Sequence, residues 1–126
     1  MIKTIILILM ISLTISSPDS SPISQALSNT DPDIKEKILS IKILPDEEFH
    51  QFCTNPLAVG CTKLWWDNSE KLKFTKIYIS DDSPYLENTI YHELGHVKFS
   101  LNNKFNPDDS ERFANNYANK YSSIII

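Results

Sequence analysis

The stretch TIYHELGHVKFS, Thr89 to Ser100, holds two of the chain's three histidines, His92 and His96, with Glu93 directly after the first. On a helix, side chains four residues apart leave the same side, so both imidazoles can meet on one ion. Ile90, Leu94, Val97 and Leu101 fall on the opposite side, which divides the helix into a core-facing stripe and a ligand-bearing one. Two imidazoles suit zinc, and a catalytic zinc site takes a third protein ligand while leaving the fourth position for water. Zinc lowers the pKa of that water to about 7 and polarises a carbonyl. Gly95 costs about 1 kcal/mol inside a helix relative to alanine. Close approach of another backbone beside the site would account for it.

The third ligand has to come from another element. Downstream stands ERFANNYA, Glu111 to Ala118, on a predicted final helix. The intervening turn, NNKFNPDD, is short enough to make the two helices antiparallel neighbours and to bring Glu111 back towards His92 and His96. Asp108 and Asp109 are the fallback ligands; otherwise they cap that helix. Asn115, one turn after Glu111, is placed to hydrogen-bond a ligand histidine and hold its ring. No histidine follows His96 and no methionine follows Met10, which excludes a metzincin arrangement, and the Gly-Thr stretch of an aspzincin is absent. His50, Tyr85, Tyr91 and Tyr121 are candidates for stabilising an oxyanion. The simpler expectation is a surface position for His50 and packing for the tyrosines.

HELGH followed by ERFANNYA resembles the gluzincin metallopeptidases, in particular the compact minigluzincin and ImmA/IrrE-type members, where HExxH is followed by Glu-x-x-Ala-Asn-x-Phe-Ala. Glu111, Ala114, Asn115 and Ala118 match that pattern, and Tyr117 stands where the phenylalanine would be. KIYIS, ahead of the motif, is similar to the strand that flanks the cleft in this clan. The likeness spans roughly Val59 to Ala118. It implies zinc on His92, His96 and Glu111, Glu93 as general base, and hydrolysis of a peptide bond in a peptide or protein substrate. Larger gluzincins often carry an acid at the position of Asn115; an amide would leave its histidine less basic. Substrate backbone could add to a sheet edge near Lys76 to Ser80. A competing expectation is an exported zinc-binding interaction module without turnover, and a third is metal-free structural use of the motif.

These residues need a framework to position them. With 126 residues and 41% hydrophobic content, the chain has the size and composition of one globular domain. Its formal charge of -4, from 12 basic and 16 acidic residues, contains no basic run of the kind phosphate backbones require, which excludes nucleic acid as a partner. MIKTIILILMISLTISSP opens with Lys3 and an apolar run from Ile5 to Ile15, too short to cross a bilayer core but suited to a signal peptide over residues 1–16. The protein is therefore expected to be secreted or extracytoplasmic, with no stable membrane span once the signal is removed; an uncleaved signal would serve as an N-terminal anchor. No cysteine follows that run closely, which argues against a lipoprotein. Residues 17–33, rich in Ser, Pro and Asp, read as a flexible leader, and 34–126 as the folded domain. Cys53 and Cys61 bracket TNPLAVG. In an exported chain such a pair can close a disulfide, and the spacing is not that of a Cys-x-x-Cys zinc or redox site.

Asp31 and Pro32 start a helix expected to reach about Ser40, and Ile41 to Leu44 form a short strand. DEEFHQFC reads as a second helix with its acids in the first turn. Val59 to Trp66 and Leu72 to Ser80 are expected to pair as a hairpin, with Trp65 and Trp66 on opposite faces. The motif helix should run from about Pro84 to Leu101 and the last from Pro107 to about Tyr121. Together these make an α+β, compact zincin-like domain: a small antiparallel sheet packed on the motif helix and on a C-terminal, glutamate-bearing helix.

Overall fold

The structure is a computed structural model that describes residues 21–122. The expected signal peptide, 1–16, and the closing isoleucines, Ile124 to Ile126, lie outside the described residues. Eight elements follow in order: α1 (Ser21–Ser28), α2 (Pro32–Lys35), β1 (Ile38–Leu44), α3 (Asp46–Phe52), β2 (Gly60–Trp66), β3 (Leu72–Ser80), α4 (Leu86–Asn102) and α5 (Pro107–Tyr121). The class is α+β, with the helices packed on a three-stranded sheet.

The sheet is mixed rather than purely antiparallel. Its order is β1-β3-β2; β2 pairs antiparallel with β3 as a hairpin, while β1 runs parallel to β3 with Ile41 opposite Ile77 and Ile43 opposite Ile79. Parallel neighbours need a long crossover between them, and here α3, the loop after it and β2 all intervene. The burial of β3 fits its central place: Ile77, Tyr78, Ile79 and Ser80 are consecutive and all buried, as expected of a strand covered on both faces. In the turn that closes the hairpin, Asp67 Oδ1 accepts from the Ser69 and Lys71 amides and the Ser69 hydroxyl at 2.7–3.0 Å. The Ser69 hydroxyl, followed by the Lys71 amide, holds the Asp67 carboxyl below its ordinary range. Glu70 completes the turn in the left-handed region at φ 63°.

Two expectations for the N-terminal side give way. Residues Ser21–Ser28, read as part of a flexible leader, form a helix, because Ile23, Ala26 and Leu27 are spaced to make an apolar stripe. Ile23 and Ala26 are buried in the main core that also holds Leu94 and Val97. Thr30 Oγ1 donates to the Ala26 carbonyl at 2.6 Å and Asn29 Nδ2 to the Tyr91 hydroxyl at 3.1 Å. Helix α2 stops after one turn instead of reaching Ser40. Ile38, Ile41 and Ile43 pack on the core from β1, so burial through the sheet overrides local helix preference.

The apolar side of α4 behaves as its spacing implies: Ile90, Leu94 and Val97 are fully buried, with Leu101 packed against them. Helix α5 lies against α4, and Gly95 is where they come closest. A Cβ there would sit 2.8 Å from the Ala114 Cα and 3.0 Å from the Tyr117 Cβ. The glycine is thus a steric requirement of the helix pair. The cap of α5 is Asn106, whose side chain accepts from the Asp109 amide at 3.2 Å with Pro107 next in line, so neither Asp108 nor Asp109 has the capping role; Asp109 pairs with Arg112 on the surface instead.

Candidate metal centre

Helix α4 presents His92 and His96 towards α5, with their Nε2 atoms 3.2 Å apart. Glu111, on the second turn of α5, straddles them: Oε2 is 3.2 Å from His92 Nε2 and Oε1 is 3.1 Å from His96 Nε2. Ligand atoms about 2.05 Å from an ion at tetrahedral angles stand roughly 3.3 Å from one another. The imidazole pair stands at about that separation and each imidazole has one Glu111 oxygen at a similar distance; taking one atom from each residue, the three lie within 4.8 Å of one another, and His92, His96 and Glu111 form a group that can hold a metal. Two imidazole nitrogens and a carboxylate favour a transition metal over magnesium or calcium. The histidine side chains are mostly buried, 18% and 19% exposed, whereas Glu111 is 56% exposed, which leaves the group open on the carboxylate side.

The ring of His96 is held from behind. Its Nδ1 lies 2.7 Å from the hydroxyl of Ser110, a buried residue in the first turn of α5. With Nε2 turned to an ion, Nδ1 carries the proton and donates to Ser110 Oγ, an arrangement that fixes both tautomer and ring plane. Asn115, expected in this role, is exposed on α5 and bonds neither histidine. The missed residue had a readable signal: Ser110, Ala114 and Tyr117 recur at helical spacing and form the buried stripe of α5, so Ser110 is the polar member of the face that meets α4. Burial, then the neighbouring His92, push the His96 imidazole below its ordinary pKa, with Glu111 opposing them. Replacing Ser110 with alanine should weaken zinc binding about 10- to 100-fold without loss of helix content. Competition against a chromophoric chelator measures this, and unchanged affinity would remove Ser110 from the site.

Glu93 sits on α4 between the histidines, lining the cleft while only 4% exposed. The Thr62 hydroxyl, on β2, donates to its Oε1 at 2.7 Å. A Cβ at Gly60 would meet Glu93 Oε2 at 2.8 Å and Thr89 at the same distance, so the start of β2 has room for the carboxylate only as glycine. Burial pushes the Glu93 carboxyl up to about 8; the Thr62 hydrogen bond opposes this and the Glu111 charge adds to it. A dication held by the neighbouring histidines would draw the carboxyl back towards its ionised form. Gly60 and Thr62, like Leu64, are two residues apart and share one face of the strand, a periodicity visible in VGCTKLWW once the hairpin is recognised.

All of these groups open into a cleft of about 670 Å³, bounded by residues of the 55–60 loop, β2, α4 and the α4–α5 turn. The strand flanking it is β2; KIYIS belongs to β3, which is central and hydrogen-bonded on both sides. Lys76 to Ser80 therefore offer no free edge to a substrate. Neither His50 nor any of Tyr85, Tyr91 and Tyr121 lines the cleft. His50 pairs with Asp46 at 3.3 Å, Tyr91 is buried in the core, and Tyr85 and Tyr121 lie on the surface. Cys53 and Cys61 form a disulfide across a Cα separation of 6.2 Å, tying the end of α3 to β2 and closing the loop that makes one cleft wall.

The described residues thus define an α+β domain with a His-His-Glu group between two antiparallel helices and a buried glutamate beside it. No known protein family, curated protein or solved structure matches the chain.

Proposed function

We propose that this protein is a zinc-dependent metallopeptidase of gluzincin type, with His92, His96 and Glu111 as zinc ligands and Glu93 as general base. The observation that carries the reading is the convergence at an open cleft of two Nε2 atoms 3.2 Å apart, each with one Glu111 oxygen at 3.1–3.2 Å. Zinc bound there would supply Lewis acidity, making water acidic near neutrality and polarising a scissile carbonyl. The remaining work falls to the chain. Glu93 takes the proton of the attacking water and returns it to the leaving amine, so the carboxyl ends the cycle as it began. Thr62 holds one Glu93 oxygen and Gly60, having no side chain, leaves room for the other, which orients the base without excluding it from the cleft. Ser110 keeps His96 oriented. Strand β2 lies at an edge of the sheet and four of its residues line the cleft, so an extended substrate can run beside it.

Export fits this reading. The Cys53–Cys61 disulfide is stable in an oxidising compartment, and the leading apolar run has the form of a signal. No helix among the described residues is long and apolar enough to cross a membrane.

Chelation followed by repletion tests the proposal. Dialysis against a strong chelator should abolish cleavage of a broad peptide library, and one equivalent of zinc should restore it. Stoichiometric zinc binding with no cleavage at all would instead make the protein an interaction module; chelation without effect on activity or stability would exclude a metal role.

A further inference from the structure

The cleft carries the two most exposed large apolar side chains among the described residues, Leu57 at 89% and Phe105 at 66%. They come from separate segments. Leu57 stands on the disulfide-closed loop between α3 and β2, and Phe105 on the turn between α4 and α5. Both segments are braced. The Leu57 amide donates to Asn55 Oδ1 at 3.0 Å and the Ala58 amide to the Asn55 carbonyl at 3.1 Å; Asn103 Nδ2 donates to the Phe99 carbonyl at 2.9 Å and Asn106 caps α5. An ordered turn that holds a bulky apolar side chain in water exposes surface that burial would stabilise, and two such side chains on one cleft mark a contact for an apolar partner. Ala58, Val59, Leu64 and Pro107 extend the apolar lining, and among the described residues the cleft has no lysine or arginine. Its carboxylates, Glu93 and Glu111, would be offset by a dication.

We propose that Leu57 and Phe105 are opposing lips that grip bulky uncharged apolar side chains of an extended peptide, and so set the substrate class. The inference rests on the peptidase reading for its chemistry but on the lips alone for its selectivity. The lips contact substrate away from the reacting atoms, so they contribute alike to ground state and transition state and act on KM rather than kcat.

The test uses zinc-loaded protein and short alanine-spaced fluorescent peptides that differ only in carrying leucine, serine, aspartate or lysine at two central positions. In binding to the Glu93→Gln protein, the leucine peptide should be held about tenfold tighter than the other three, and Leu57→Ser and Phe105→Ser should each erase that margin. In cleavage by the otherwise unaltered protein, each serine substitution should raise KM for the leucine peptide about tenfold with kcat unchanged. Both side chains are exposed, so melting temperature and zinc content should stay at their starting values in both variants. Equal binding of the four peptides, or a leucine margin that survives both substitutions, overturns the lips. Cleavage without apolar preference overturns them while sparing the peptidase reading; apolar binding without any cleavage does the reverse.

Discussion

Glu93→Gln should lower peptide hydrolysis by about 10²- to 10⁴-fold, the usual contribution of a positioned general base, while leaving zinc bound. The amide keeps the shape of the carboxylate and can still accept from Thr62, now 2.7 Å from Oε1, but it cannot take a proton from water. A second effect, on the zinc-free protein, has the opposite sense. The Glu93 carboxyl is raised from 4.5 to about 8, first by burial. Between those values the folded chain holds a proton that the unfolded chain has lost, so stability is highest below pH 4.5 and falls as pH rises through about 8. Each unit is worth about 1.4 kcal/mol, and the loss across the window is therefore several kcal/mol. His96, lowered by burial, works in the other direction, which makes the difference between wild type and Glu93→Gln the informative quantity. In chelator, urea denaturation at pH 5 and pH 9 should show the variant gaining on wild type as pH rises. A constant difference between the two proteins would mean that Glu93 is not held neutral in the folded chain.

Gly95→Ala should destabilise the protein and weaken its metal site together. Helix propensity alone points the other way, favouring alanine by about 1 kcal/mol. Packing decides the sign, because the new Cβ would lie 2.8 Å from the backbone of Ala114 and only separation of the two helices can relieve the contact. Overpacking of this kind costs about 1–3 kcal/mol, more than the propensity gain at the upper end. Glu111 stands one turn before Ala114 and must move with α5, which stretches its contacts to His92 and His96 from 3.1–3.2 Å. We expect a melting temperature lower by several degrees and zinc affinity reduced at least tenfold. A more stable variant with unchanged affinity would show that the helix pair has slack at this point.

This second expectation depends on how α4 and α5 meet, and that contact was legible where it is local. Helix α5 runs from Pro107 to Tyr121 as its punctuation implies, the hairpin closes between Trp66 and Leu72, and Cys53 and Cys61 are bonded. His92 and His96 meet Glu111 because one helical turn and one short connection determine most of their geometry. What escaped was non-local. The parallel pairing of β1 with β3 joins segments more than thirty residues apart, and no turn residue announces it. Helix α1 was hidden by its serines and its proline, since only packing into the same core as α4 shows why Ile23 and Ala26 are apolar. Ser110 and Asn115 are both polar residues on one helix. Which of them reaches His96 is decided by the rotation of α5 about its axis, and the exposed Asn115 faces away.

The most direct measurement is the zinc content of the purified protein beside that of Glu111→Ala, by elemental analysis after equilibration with a competing chelator. The wild-type protein should retain one zinc per chain, and the variant, left with two imidazoles and no carboxylate, should retain almost none. Equal retention of zinc by both, or none by either, would contradict a centre built from His92, His96 and Glu111.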